Sequence, residues 1–280
     1  MVTSKTSRPV ISVMLAVPDA PTAIEWYKRA LRCCDKGRLN LGVMPTHRER
    51  YNRSDYILSP VSVIDVTQLR RAVVVTGFFL LAVVVQGAAR PGYDAWHQSI
   101  SALSLGPGGW VQQVMFGLLG LTFLFTAPVW RRILAGAVGH HSVPLLTTLT
   151  GLSLIAAAWW RQDPRPGYDP ERLGLALPTA TGLMHLAAAA VGAGSAVAAM
   201  FVMANRFARL PGWYHWAQST REAAALTIAC VVTFVLWSIE PHGLAGTFER
   251  LVFVIPGAWA YAVVQRLGQG VPFVVRPRAT

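Results

Sequence analysis

Long apolar runs separated by short polar segments dominate the chain after about residue 70. A helix that crosses a hydrocarbon layer of about 30 Å needs about 20 mostly apolar residues, because each residue rises 1.5 Å. Six runs approach that length, and they cover about residues 72–89, 110–130, 144–160, 179–203, 223–239 and 251–265. The pattern predicts an all-α membrane protein whose six transmembrane helices form three outward-looped hairpins.

The first 68 residues lack such a run and carry a different pattern. Residues 10–17 favour a strand, Asp19 can cap a helix, and Pro21 suits its first turn. We therefore predict a short strand–helix fragment or a disordered segment here. The predicted organisation is a basic N-terminal segment at 1–68, a six-helix transmembrane domain at 69–268 and a cytoplasmic tail at 269–280.

The composition agrees with a membrane protein and argues against nucleic acid as a partner. Charged residues make up 14% of the chain and the mean hydropathy is +0.42, whereas soluble domains carry about a quarter charged residues. The net charge is +12, but the arginines after residue 71 come in ones and twos between apolar runs. Nucleic-acid binding needs them massed on one face, so we expect membrane lipid as the partner and no nucleic acid.

The arginines of the short loops predict the orientation of the helices, since cytoplasmic loops carry the excess of Lys and Arg. One set of loops and ends holds ten arginines: Arg70, Arg71, Arg131, Arg132, Arg206, Arg209, Arg221, Arg266, Arg276 and Arg278. The other holds five, diluted by acids: Arg90, Arg161, Arg165, Arg172 and Arg250. The asymmetry predicts that both termini are cytoplasmic and that the loops at 90–109, 161–178 and 240–250 face outward.

Polar side chains gather on the predicted outward side, and besides the candidates named below the loops carry Ser99, Ser101, Tyr168, Asp169, Glu171, Glu240, Glu249 and Arg250. An ionisable group inside a span is costly and is a functional candidate by default, which singles out His185. If the second hairpin is antiparallel, Asp163 and His185 could approach within hydrogen-bonding reach. The candidate polar pocket comprises Asp163, His185, Tyr93, Asp94, His97 and His242.

Two interpretations of these polar groups remain open. Imidazole and carboxylate are the usual ligands of a catalytic zinc ion, and the candidates for such a site are His97, His185, His242 and Asp163. Without a metal, the same groups form a polar or acid–base site. They can instead satisfy loop backbones and pair with arginines, so the cofactor stays unassigned.

Several motifs resemble known families. The segments RPGYDAWHQSISALSLGPGGWVQQVMFGLLG, RQDPRPGYDP, TGLMHLAAAA and HGLAGTFERLVF resemble the bacterial membrane family catalogued as domain of unknown function 998, over about residues 70–268. That resemblance implies six helices and no settled activity. The segment VISVMLAVPDAPTAIEWYKRAL at 10–31 resembles the opening of the glyoxalase/bleomycin-resistance (vicinal oxygen chelate) family, and no site residue is carried over from it.

The pentapeptide RPGYD occurs at 90–94 and again at 165–169. Each copy follows an odd-numbered span, so we expect the first two hairpins to be repeated units that pack together. If they do, Tyr93 and Asp94 join the site around His185.

These observations favour one function and leave two alternatives open. The favoured hypothesis is a binding or accessory membrane protein with an outward polar pocket for lipid or a small molecule. The alternatives are a lipid hydrolase, possibly metal-dependent, and a small-solute transporter. The nucleophile-elbow, nucleotide-binding and His-Glu-x-x-His motifs do not occur in the sequence.

Overall fold

The computed structural model describes residues 56–164, 178–238 and 243–277. The predictions for residues 10–31, for the second RPGYD copy and for His242 lie outside the described residues. So does most of the segment at 1–68.

Six long helices account for most of the described chain. They are α1 (Val63–Ala89), α2 (Gly109–Ile133), α3 (Ser142–Trp159), α4 (Ala180–Phe207), α5 (Tyr214–Trp237) and α6 (Ala245–Gly268). All six are long and apolar enough to cross a membrane. The prediction of a six-helix membrane protein is therefore confirmed.

Some helices begin several residues before the apolar run that predicts them. The helix α1 begins at Val63, and the Ser62 Oγ accepts a hydrogen bond from the Asp65 N–H at 3.1 Å. The helix α6 begins at Ala245. Glu249 therefore lies on a helix in the bundle rather than in an outward loop.

The six helices form a closed ring. Each packs on its neighbours in sequence, and α1 also packs on α6. The end that carries the α1–α2, α3–α4 and α5–α6 connections is here called the hairpin end, and the opposite end is called the linker end. At the hairpin end, a 3-10 helix at Ile100–Ser104 folds between α1 and α2.

A short strand pair joins the two ends of the described chain. The strand β1 (Tyr56–Ser59) pairs antiparallel with β2 (Val274–Pro277). Because β1 precedes α1 and β2 follows α6, both strands lie at the linker end. The chain therefore enters and leaves the bundle on the same side, as an even number of spans requires.

Two apolar cores stabilise the bundle at different depths. Towards the hairpin end, Phe79 packs against Phe116 and Phe253 with ring centroids 5.6 and 5.2 Å apart. At the linker end, Trp213 stacks on Phe207 at 5.0 Å and packs against Phe273 at 5.3 Å. These aromatic pairs stabilise the packing of the six helices at both levels.

Candidate functional site

A cavity of about 640 Å³ lies among the six helices. Its volume falls within the range of about 300–1,000 Å³ that is usual for ligand pockets. Small residues of α4 leave much of this space: Ala189 and Ala193 line the cavity, and a Cβ placed on Gly194 would meet nothing within 4 Å. The small residues of α4 thus form a helix and leave space inside the bundle.

The cavity wall is apolar over most of its length, although it contains several hydroxyl groups. Thr76, Thr147, Thr150 and Thr227 line it, and each hydroxyl donates to a carbonyl one turn back in its own helix. A hydroxyl satisfied in this way does not require a ligand or water as a partner. The wall therefore suits an apolar occupant.

Three polar side chains, Ser101, His185 and Glu249, meet the cavity towards the hairpin end and are here called the polar cluster. His185 is 5% and Glu249 8% exposed. Each comes from a different part of the chain: the 3-10 helix, α4 and α6 respectively. The polar cluster places ionisable groups at one end of an apolar cavity.

The hydrogen bonds of His185 define its orientation. The Nδ1 atom lies 2.7 Å from the carbonyl oxygen of Trp160, and the Nε2 atom lies 3.0 Å from the Oγ of Ser101. Because a carbonyl can only accept, Nδ1 carries a hydrogen and donates it. This leaves Nε2 facing the serine hydroxyl.

Glu249 is the second hydrogen-bond partner of the Ser101 side chain. Its Oε1 atom accepts from the Ser101 Oγ at 3.1 Å, and its Oε2 atom accepts from the Ile100 N–H at the start of the 3-10 helix. With a neutral imidazole and a carboxylate, the single hydroxyl hydrogen of Ser101 has two acceptors. The hydroxyl hydrogen can turn to either acceptor, to the Glu249 carboxylate or to Nε2 of His185.

The first hairpin connection positions the polar cluster by packing on α6. The Gly246 N–H donates to the His97 carbonyl at 3.2 Å, and the Thr247 N–H donates to the Trp96 carbonyl at 3.0 Å. A Cβ on Gly246 would overlap the carbonyl oxygen of Gln98. Only glycine allows this approach, which brings Glu249 within reach of the 3-10 helix.

Tyr93 and Arg250 brace the same junction. The Arg250 guanidinium donates to the Tyr93 hydroxyl at 2.6 Å and to the Gln98 carbonyl at 3.1 Å. The Tyr93 hydroxyl in turn donates to the Ser99 carbonyl at 2.9 Å. Tyr93 therefore supports the segment that carries Ser101 instead of contacting His185 directly.

Asp163 lies at the N-terminus of α4. Its carboxylate accepts from the Thr179 N–H at 2.8 Å and from the Thr179 hydroxyl at 2.6 Å. A Cβ on Gly182 would overlap this carboxylate, so glycine makes room for it. The hydrogen bonds of Asp163 and His185 do not join the two residues, and the carboxylate in the His185 network is that of Glu249.

Asp94 and His97 form a pair near the surface of the first connection. The His97 Nδ1 lies 2.6 Å from the Asp94 Oδ2, and the Trp96 N–H donates to the same carboxylate at 2.9 Å. Slight burial raises the pKa of Asp94, but the hydrogen bonds from the Trp96 N–H and from His97 outweigh it and hold that pKa below its ordinary value. The pair stabilises the turn at residues 94–97 and does not line the cavity.

The described residues give the metal hypothesis no assembled ligand set. Within residues 56–164, 178–238 and 243–277, no three His, Cys, Asp or Glu side chains are grouped so that they could hold a metal ion. His97, His185 and Asp163 each have separate partners. His242, the fourth candidate, lies outside the described residues.

Ser101 and Glu249 are the site residues that the sequence-based choice of candidates omitted. Both are polar residues of regions that the sequence assigns to outward loops. The available signal was Glu249 itself, because a single acid separated only by Arg250 from the apolar run LVFVI could have indicated a first helical turn. The packing of Gly246 on the first connection was needed to show where that acid points.

Comparison with known proteins places the chain in a family without assigning an activity. No curated protein and no solved structure matches the chain. A family model described as a protein of unknown function, DUF998, matches residues 73–266, which covers α2 to α5 completely and most of α1 and α6. The chain therefore belongs to the DUF998 family of proteins of unknown function.

Proposed function

We propose that this protein binds an amphiphilic lipid from the bilayer, with the acyl chain in the cavity and the polar portion at Ser101, His185 and Glu249. The observation that carries the proposal is the cavity of about 640 Å³, whose walls are apolar and whose hairpin end holds the polar cluster. An occupant matched to both parts has a long apolar portion and a polar group at one end. A membrane lipid has that chemistry.

Exposed side chains of α4 and α5 that also line the cavity support access from the bilayer. Leu186 of α4 and Val232 of α5 both line the cavity, yet they are 54% and 51% exposed. Both lie in the half of their helix nearer the hairpin end, at the level of the polar cluster. An acyl chain passing between them meets apolar side chains throughout and does not cross water.

The proposal includes a location in the bacterial inner membrane with both termini in the cytoplasm. The support is the clustering of Arg70, Arg131, Arg206 and Arg266 at the linker end, since cytoplasmic ends carry the excess of positive charge. The strand pair puts the beginning and the end of the described chain on that same side. The polar cluster then lies in the outer half of the membrane.

Lipid retention by the purified protein tests the proposal. The full chain is purified in a mild detergent or a nanodisc, and co-purifying lipids are measured by native mass spectrometry. We expect a retained lipid in the unmodified chain and a several-fold loss in Ala193→Phe, because Ala193 lines the cavity and a phenyl group would fill it.

The matched control is Ala187→Phe, on the same helix but exposed and away from the cavity. This variant should retain lipid like the unmodified chain. Equal retention by Ala193→Phe and Ala187→Phe, or no lipid retained by the unmodified chain, would contradict the proposal.

A further inference from the structure

We propose that Ser101 is a nucleophile that cleaves a fatty-acyl carboxylic ester, with His185 as its general base. This inference rests on the proposed binding of a lipid in the cavity and names the class of lipid as an acyl ester. The juxtaposition that carries it is the buried Ser101 hydroxyl beside the Nε2 atom of His185, with both residues lining the cavity.

The serine–histidine geometry meets the requirements of an activated nucleophile. A weak nucleophile such as a hydroxyl needs an adjacent base within about 2.6–3.2 Å, and that base needs a third group to orient it. The Ser101 Oγ and the His185 Nε2 are 3.0 Å apart. The third group is the Trp160 carbonyl, 2.7 Å from Nδ1.

The Trp160 carbonyl takes the position that a carboxylate has in a Ser-His-Asp triad. It fixes the hydrogen on Nδ1 and leaves Nε2 for the hydroxyl. Trp160 is also the C-cap of α3, and the C-terminal end of a helix carries partial negative charge. That charge favours the imidazolium that forms when His185 takes the proton of Ser101.

Glu249 acts as a positioning residue. One carboxylate oxygen accepts from the Ile100 N–H and the other from the Ser101 hydroxyl. These contacts tie the short 3-10 helix to α6, which the first connection holds through Gly246 and Thr247. Glu249 thereby fixes the place of the nucleophile relative to His185.

The reaction proceeds in two balanced steps, with water as the second substrate. In the first, the Ser101 Oγ bonds to the ester carbonyl carbon, its proton moves to Nε2, and the carbonyl π pair moves onto oxygen. That pair returns as the bond to the alcohol oxygen breaks, and Nε2 gives its proton to the alcohol. Acyl-serine remains.

In the second step, water attacks the acyl-serine carbonyl while His185 takes one proton from the water. The carbon–Oγ bond then breaks, and the proton returns to the Ser101 oxygen. The sum is ester plus water giving fatty acid plus alcohol, and both side chains return to their initial state.

A covalent probe tests the nucleophile in the unmodified full chain in a nanodisc. An alkyl fluorophosphonate forms a phosphorus–oxygen bond with an activated serine and releases fluoride. Mass spectrometry of peptides should place the label on Ser101. Ser153 lines the same cavity, where its side chain lies beside Gly192 of α4, and it should stay unlabelled.

Turnover of a long-chain fatty-acyl ester that releases a coloured alcohol provides the second measurement. We expect no turnover by Ser101→Ala, a loss of about 10²–10⁴-fold in kcat for His185→Gln, and unchanged turnover by Ser219→Ala, whose exposed hydroxyl bonds to its own helix. Glu249→Gln keeps the shape of the side chain and should lower kcat by a larger factor than it changes KM, since the carboxylate orients Ser101.

Lipid retention separates failure of this inference from failure of the proposed function. If the unmodified chain retains lipid but is neither labelled at Ser101 nor able to cleave the ester, the nucleophile is refuted and the binding function stands. If it retains no lipid, the binding function fails. The labelling experiment alone then decides whether Ser101 is a nucleophile. Labelling of another serine in place of Ser101 also refutes the inference, and the probe result does not depend on any variant folding.

Discussion

At the residue scale, the polar cluster and the Asp94–His97 pair illustrate different electrostatic settings. Ser101, His185 and Glu249 are buried, so their mutual hydrogen bonds offset a large cost of removing polar groups from water. Asp94 and His97 lie near the surface, where such a pair contributes little. The polar cluster fixes a tertiary arrangement, whereas the Asp94–His97 pair stabilises only a surface connection.

We predict that Asp94→Asn slightly lowers the melting temperature at neutral pH. The folded pKa of Asp94 is depressed by the Trp96 N–H and by His97, once the opposing effect of burial is overcome. The stabilising contribution is thus fully present above the ordinary aspartate pKa of about 3.9 and is lost as pH falls through the lower, folded value.

Thermal unfolding followed by the fluorescence of the ten tryptophans can measure this difference at several pH values. The gap between the two proteins should narrow on acidification. A gap that widened at low pH would show that the carboxylate does not stabilise the fold through these hydrogen bonds.

At the element scale, close helix contacts depend on individual glycines. The backbones of α2 and α3 meet where a Cβ on Gly120 would lie 2.6 Å from the Gly151 carbonyl oxygen and 2.8 Å from the Ile155 side chain. Small residues allow helices in a membrane to approach in this way. The rotation of α2 about its axis is therefore set by a glycine pair as well as by its apolar face.

We predict that Gly120→Leu destabilises the bundle by about 1–3 kcal/mol, the usual range for overpacking a tight interior. Its matched control is Gly117→Leu, one turn earlier on the same helix, where an added Cβ meets nothing within 4 Å. Unfolding in detergent should show a clear loss for the first variant and little change for the second. Equal effects would mean that the α2–α3 contact is not close at Gly120.

At the scale of the whole molecule, the closure of α1 on α6 turns six neighbouring helices into a ring with an interior. The strand pair holds the beginning and the end of that ring together at the linker end. The polar cluster lies towards the opposite end. The protein therefore has two chemically distinct ends, one basic and one with a buried polar site.

We predict that a reporter fused at Thr280 and a reporter inserted in the 161–178 connection lie in opposite compartments, with the terminal reporter cytoplasmic. The arginine excess at the linker end provides the physical reason. Alkaline phosphatase and fluorescent-protein fusions measure the two positions. Matching compartments would contradict a six-span topology, and exchanged compartments would reverse the proposed orientation.

The sequence alone determined the number of spans and their order, and it singled out His185 as a candidate site residue. Each of these depends on a local property: the length of an apolar run against the thickness of the bilayer, and the cost of an ionisable group within such a run. The ends of the helices were harder to predict from the sequence, because polar residues that stabilise them, such as Ser62 and Asp163, lie outside the apolar runs. The start of α6, and with it Glu249, was missed because Glu249 and Arg250 interrupt the apolar pattern in the first turns of that helix.

Only the tertiary structure decided which groups meet His185. Ser101 is separated from it by 84 positions in the chain, and Glu249 is separated from Ser101 by 148. Whether such groups meet depends on helix rotation and on backbone approaches such as that at Gly246, which hydropathy does not encode. The cavity likewise exists because α1 closes on α6 around the small side chains of α4, and a ring closure joins the two ends of a sequence rather than neighbouring residues.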